Sequence, residues 1–480
     1  MREPPPYRET MNPSEDGLPR PERYWAILTL MVGLSMAVLD TAIVNVALPT
    51  IAHDMKATAS DSIWVVNAYQ LAVLVSLLPF ASFGDIFGYR RVYRFGIVLF
   101  TASSLFCALS PSLTMLTVGR ALQGLGASGL MSVNTALIRY TYPRRQLGRG
   151  IAMTALVVAT SSAAGPTVAA GILSVASWQW LFAVNVPIGV ATWLLSMRLP
   201  YTEPTGHHFD LVSAGLSALT FGLLVSGVSG IGHGENAIAA TLELVGALAV
   251  GAMLVRRQAE LPMPLFPVDL FRHPLFSLSV ATSVCSFVAQ GIAFVSLPFY
   301  LQDELGISQV ATGLLLTPWP VTVAVVAPIA GRLADRYPAG ILGGIGLSTM
   351  CVGFVLLVWL PAHPTTSDLL WRIGVCGFGF GLFQSPNNRA MISSAPRERS
   401  GGAGAIQGTA RLLGQTIGAA LVALVFGVGA GSASARMAVI LAACFAAAGT
   451  LASLTRLFDA VRAPQAKREP APADARGPAE

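Results

Sequence analysis

Apolar residues fill this chain in long blocks separated by short polar breaks. Fourteen apolar runs stand out, near residues 25–49, 63–83, 92–110, 113–138, 150–173, 178–198, 210–229, 239–255, 275–300, 310–332, 339–361, 369–392, 403–428 and 436–456. Each approaches the roughly 20 apolar residues that an α-helix needs to cross a bilayer. Runs of this length are helical in lipid, because a helix satisfies its own backbone polar groups there. The pattern predicts an all-α integral membrane protein of 14 transmembrane helices. Residues 1–23 and 457–480 are polar, rich in Pro or Ala, and expected to be disordered tails. No apolar segment precedes the first run, so no cleavable signal peptide is expected.

Composition agrees. Of 480 residues, 54% are hydrophobic and 11% charged, with mean hydropathy +0.63, where soluble domains carry about a quarter charged residues. The net charge of +6 is not gathered on one face, so nucleic acid is not an expected partner. The positive charges fall in alternate breaks, among them Arg90, Arg91, Arg94, Arg139, Arg144, Arg145, Arg198, Arg256, Arg257, Arg332, Arg336, Arg389, Arg397 and Arg399. Lys and Arg stay on the cytoplasmic side. Both termini are therefore expected there, with the chain in the inner (plasma) membrane as a multi-pass protein. The cysteines all lie inside apolar runs and read as small hydrophobes.

Two breaks are related. Phe83-Gly-Asp-Ile-Phe-Gly-Tyr-Arg-Arg91 has a counterpart in Gly331-Arg-Leu-Ala-Asp-Arg336. Asp85 matches Asp335, Leu48-Pro49 matches Leu297-Pro298, Arg120 matches Arg372, and Pro143 and Gly148 match Pro396 and Gly401. The first six spans thus recur as the last six, leaving the seventh and eighth as an insertion. The expected domains are a six-helix bundle over 24–198, inserted helices over 199–257 and a second six-helix bundle over 258–456. Parallel repeats of this kind build transporters with a solute site between the halves near the midplane.

Candidate chemistry sits inside the spans. Asp40 is an acid in the first run, within Leu39-Asp-Thr-Ala-Ile-Val-Asn-Val-Ala-Leu-Pro49. An acid there must face a cavity, find a partner or take up a proton. Thr41 and Asn45 are four residues apart, share a helix face and are cavity candidates. Arg120 and Gln123, in Gly119-Arg-Ala-Leu-Gln-Gly-Leu-Gly126, must point inward, where a carboxylate is the natural partner of the guanidinium. Gly165, Pro166 and Gly171 mark a kink-prone, tightly packing face in the fifth span. Its second-half counterpart has Gly418-Ala419, so the kink belongs to one half. Gln290 stands roughly where Asp40 stands in the first half, and with Gln407 and Arg411 it could line a cavity. Trp178 and Trp180 read as interfacial anchors. No Gly-x-x-x-x-Gly-Lys-Ser/Thr loop, metal-ligand spacing or catalytic carboxylate pair is present. ATP is not the expected energy source, and neither metal, cofactor nor enzymatic activity is expected.

Together these strings resemble the major facilitator superfamily. Asp85 to Arg91 is similar to its loop signature, with departures at Ala81, Ile86 and Tyr89, and Gly331 to Arg336 to the second copy. Arg120, Gln123, Gly124 and Gly126 are similar to the fourth-span signature, whose Arg is tied to proton handling. Gly165-Pro166 with Gly171 resembles the fifth-span signature of antiporters. The span count, the Asp40–Pro49 string and Trp178-Gln-Trp…Asn185-Val-Pro-Ile-Gly189 resemble the fourteen-span drug:proton antiporters. The resemblance implies multidrug efflux, that is, export of small amphipathic compounds driven by the proton gradient. It makes Gly84, Asp85, Gly88, Arg90, Arg91, Gly331, Asp335 and Arg336 conformational-loop residues. The protein is expected to work as a monomer, with a periplasmic adaptor and outer-membrane channel as possible partners. A proton-linked importer or metabolite exporter on the same fold is the alternative, and a polytopic membrane enzyme or receptor a remote one.

Overall fold

The computed structural model describes residues 17–143, 146–202, 210–232, 237–261, 268–361, 364–394, 400–428 and 433–462. Arg144, Arg145, Arg397, Arg399, Pro396 and most of both expected tails lie outside them. We number the long helices α1 Arg20–Asp54, α2 Trp64–Phe87, α3 Tyr89–Ala108, α4 Leu113–Thr141, α5 Leu147–Leu173 and α6 Trp180–Arg198. The inserted pair is α7 Leu211–Gly232 and α8 Ala237–Glu260. The second half holds α9 Pro274–Phe299, α10 Gln309–Leu333, α11 Ala339–Val358, α12 Thr366–Ser394, α13 Ser400–Val428 and α14 Ala433–Arg462. The terminal helices thus begin and end somewhat beyond the expected spans, at Arg20 and Arg462.

Among the described residues, 12 helices are long and apolar enough to cross a membrane, against the 14 expected. The two that fall short are α4 and α12. Each is 29 residues long, so length is not what they lack. Their arginines, amides and closely spaced glycines hold the hydropathy down, and α4 buries its polar groups against other helices rather than lipid. Outward faces elsewhere are apolar. Leu242, Val245 and Leu248 of α8 are all exposed, as suits a helix whose solvent is lipid.

The repeat is visible in packing. α1 packs on α5 as α9 packs on α13, α2 on α4 as α10 on α12, and α3 on α4 as α11 on α12. Glycines permit the closest approaches. A Cβ on Gly126 would lie 2.5 Å from Phe100 N, and one on Gly379 would lie 2.4 Å from Met350 N. One on Gly124 would meet Tyr69 O at 2.5 Å, and one on Gly377 would meet Trp319 O at 2.3 Å. The register is therefore 250 between α2 and α10 (319 minus 69) and 253 between α4 and α12 (377 minus 124). This corrects one match. Arg120 plus 253 is the buried Ile373, not Arg372. Arg372 points instead to the end of α11, donating to Leu356 O and, at 3.2 Å, to Trp359 O.

The halves meet along α1–α9, α2–α13 and α5–α10. The inserted α7 and α8 pack on one another, and α7 rests on α13 and α2. At the bundle end away from the termini, one apolar core runs through both halves. It holds Leu48, Leu181, Val295, Leu301 and Val422. Toward the termini this core divides. The first half keeps its own cluster, which takes in Leu412 of α13, and the second half has two small ones.

Candidate functional site

Asp40 lies near the middle of α1 and is fully buried. Its carboxylate is caged by side chains from two other helices. Arg120 of α4 donates from its guanidinium to Oδ2. Gln123, one turn on, donates from Nε2 to Oδ1 at 2.8 Å. Asn185 of α6 donates from Nδ2 to the same oxygen at 2.9 Å. The cage is tied outward in turn. Arg120 Nε donates to Val65 O of α2 at 3.0 Å, its Nη1 donates to Gln123 Oε1 at 2.6 Å, and Gln123 donates to Ser104 Oγ of α3 at 2.9 Å. The guanidinium also stacks 4.2 Å from the Tyr69 ring centroid, a favourable position for a desolvated cation. Five helices of the first half therefore converge on one buried charge pair.

The sequence singled out Asp40, Arg120 and Gln123, and the structure brings them together. It adds Asn185, Tyr69, Ser104 and the Val65 carbonyl. Asn185 had a signal, an amide inside the apolar Trp-x-Trp…Asn-x-Pro-x-Gly string. Tyr69 and Ser104 had none, because their residue types are ordinary in such helices. Trp178 is not an interfacial anchor. It is buried against Phe182 and donates from Nε1 to Asp54 Oδ2 at 3.1 Å, while Trp180 is exposed.

The second half keeps the architecture but carries no charge at the positions matching the Asp40 cage. The structural register sets Ile373 opposite Arg120, Cys376 opposite Gln123, Trp319 opposite Tyr69 and Phe354 opposite Ser104, and Gln290 lies roughly where Asp40 stands in the first half. Trp319, Phe354, Ile373 and Cys376 are fully buried, and Trp319 and Phe354 have ring centroids 5.8 Å apart.

A cavity of about 130 Å³ lies between the halves, one layer from Asp40. Tyr69 forms part of its wall, so one ring touches both the cage and the cavity. Thr41, Asn45 and Arg411 line it, as do Gln70, Pro166 and Gln415. Gln290 stands behind the wall, accepting a long hydrogen bond of 3.4 Å from Gln415. Gln407 lies outside the lining. Asp40 itself does not open into the cavity; its α1 neighbours Thr41, Ala42 and Asn45 do.

Pro166 sits where α1, α5 and α10 meet. A Cβ on Gly165 would lie 2.3 Å from Ala42 Cβ, and one on Gly313 would lie 2.6 Å from Pro166 O. Gly171 plays no such part, for nothing lies within 4 Å of a Cβ there. Past this junction the halves are stitched together. Thr50 donates to Gln309 Oε1 at 2.8 Å, Gln302 donates to Val46 O at 3.0 Å, Ser60 donates to Ala423 O at 2.9 Å, and the Thr167 and Thr317 hydroxyls are 2.9 Å apart. This end of the cavity is closed.

At the opposite end lie the two loop strings. Gly88 has φ +93, which an L side chain rarely adopts, and it turns the chain from α2 into α3. Tyr89 donates from its hydroxyl to Asp85, and its N–H donates to Thr202 Oγ1 at 2.8 Å. Arg90 reaches Met197 O, and Gly84 packs beneath Tyr89. In the second copy Asp335 pairs with Arg389 of α12 at a largely exposed site, and Gly331 lies against Ser385. Arg91 lines a small pocket with Arg94 and Tyr201, and Arg336 is exposed.

A cavity between two repeated helical bundles with apolar outer faces, beside a buried ion pair, is the architecture of a membrane transporter for small molecules. The Major Facilitator Superfamily model matches residues 30–419, and again 281–479; the chain belongs to that family. It is 60% identical over 414 residues to YebQ of Escherichia coli (strain K12), described as an uncharacterized transporter, covering 85% of this chain and 90% of that one. It is 30% identical to the riboflavin transporter RibZ of Clostridioides difficile (strain 630), covering 84% and 88%. It is 32% identical to the multidrug resistance protein Stp of Mycobacterium tuberculosis (strain CDC 1551 / Oshkosh), covering 82% and 75%.

Proposed function

We propose that this protein is a fourteen-span, proton-coupled antiporter that exports small amphipathic compounds across the inner membrane, with both termini cytoplasmic. The observation that carries the reading is the Asp40–Arg120 pair, sealed in one half only and separated from the cavity by Tyr69. Breaking a buried pair by removing one charge costs about 3–5 kcal/mol, because the other charge is left uncompensated. A proton arriving on Asp40 would therefore unbalance Arg120, and with it the five-helix convergence. Solute in the cavity acts on the same elements through Tyr69. Proton and solute can then compete for one arrangement of the first half, which is what antiport requires. The gradient supplies the energy, and no cofactor enters.

On this orientation the closed end is the outer one, and the conformation is closed to the outside. The two loop strings lie at the other end, consistent with a latch there that changes as the halves rock. Export through an adaptor and outer-membrane channel would follow the same cycle. The relative that transports riboflavin favours a second reading, movement of a metabolite on the same fold.

The test uses proteoliposomes with an imposed pH gradient and a panel of amphipathic compounds. Asp40→Asn is expected to abolish gradient-driven flux while the protein still inserts and purifies. Undiminished flux in that variant would remove Asp40 from coupling.

A further inference from the structure

Of the residues that line the cavity, Arg411 alone carries a charge. It is half-buried on α13. Among the described residues no carboxylate pairs with it and no side chain or carbonyl accepts from it. The nearby acid, Asp40, is outside the lining and is already neutralised by Arg120. A guanidinium facing an apolar-walled cavity in a membrane protein has an anion as its natural complement, and its planar fork suits a carboxylate.

A second observation points the same way. Asn45 and Gln70 also line the cavity, and their Oδ1 and Oε1 atoms are buried without a hydrogen-bond partner. Unpartnered amides of this kind await N–H or O–H donors. They stand on α1 and α2, whereas Arg411 stands on α13, across the seam between the halves. The remaining wall is apolar, with Phe294 and Leu316 among its members.

Resting on the solute-cavity reading above, we propose that the substrate is an organic acid with an apolar body. Its carboxylate binds Arg411, its hydrogen-bond donors meet Asn45 and Gln70, and it bridges the halves. A cationic drug is the class this cavity disfavours.

Two probes that differ in charge and little else test this: naphthaleneacetate and its neutral amide, naphthaleneacetamide. Their binding to the detergent-solubilised full chain is measured by titration calorimetry. The acid is expected to bind about tenfold tighter, the scale of one charge-assisted interaction. The preference should vanish in Arg411→Gln and survive in part in Arg411→Lys. Gln415→Glu sets a carboxylate one turn from Arg411 and should also erase it, with Arg411 still in place. Equal affinity for the two probes, no binding of either, or a preference that persists in Arg411→Gln overturns the proposal. Binding needs no gradient. Acid preference without gradient-driven flux would sink the antiport reading and leave this one standing, and gradient-driven flux of acid and amide alike would do the reverse.

Discussion

Asp40 has three side-chain donors, and they are not equivalent. Arg120 supplies charge, whereas Gln123 and Asn185 supply position, since both donate to Oδ1 while Arg120 holds Oδ2. Asn185 hydrogen-bonds the pair from α6, whose Phe182 ring also lies 5.6 Å from the Arg120 guanidinium. Asn185→Ala should leave a folded protein with a lowered melting temperature, reflecting about 1.5–3 kcal/mol for a lost bond to a charged group. Gradient-driven flux should fall, with Asn185→Gln giving no full rescue because the longer side chain cannot sit in the same place. A melting temperature and flux unchanged in Asn185→Ala would show that Asn185 takes no part. Arg120→Lys is the sharper case. Lysine cannot supply both the Asp40 and the Val65 contacts, nor stack its plane on Tyr69. Its flux should therefore fall well below that of the wild type despite the conserved charge, and a kinetic assay in proteoliposomes decides it.

Among the elements, α4 and α12 do the same mechanical work with different chemistry. Both pass close to two neighbours by virtue of glycine, Gly124 and Gly126 in one, Gly377 and Gly379 in the other. The clashing atoms are backbone, so neither helix can yield by turning a side chain. Gly126→Val and Gly379→Val should each destabilise by about 1–3 kcal/mol or more, as overpacked cores do, read as loss of monodisperse protein on heating in detergent. The two losses should be similar, because the packing is repeated. Only Gly126→Val should also disturb coupling in whatever protein survives, since only α4 carries Arg120. Equal functional damage from both would argue that the pair has no special role.

For the whole molecule, the division of the core matters most. Apolar contact and hydrogen bonds fuse the halves at one end, and the core splits toward the other. A transporter that rocks must break the fused end once in each cycle. Thr50 and Gln309 face each other across that seam at 2.8 Å. Cysteines at both positions, joined by a short reducible cross-linker, should stop transport, and reduction should restore it. Transport that continues through an intact cross-link would mean that this end does not open. The inserted pair meets the seam chiefly through α7, on α2 and α13. Their contribution should therefore be sought in how those two helices move.

The sequence by itself determined the helices, the duplication and three members of the charged cage. Those features follow from one-dimensional rules: apolar run length, spacing at a fixed offset, and the high cost of a charge in lipid, which makes Asp40 and Arg120 stand out against any apolar background. It could not separate Arg120's true counterpart from a neighbour one residue away, because register is set by which glycine meets which backbone. It could not find Tyr69, Ser104 or the Val65 carbonyl, whose roles come wholly from what approaches them. Nor could it tell that Gly171 meets nothing, that Trp178 is buried, or that Gln407 lies off the cavity while Arg411 faces it. Tertiary structure alone decided that Asp40 is sealed and satisfied while Arg411 is exposed to the cavity and unanswered. Burial and partnership are properties of neighbours in space, and the chain brings those neighbours from helices hundreds of residues apart.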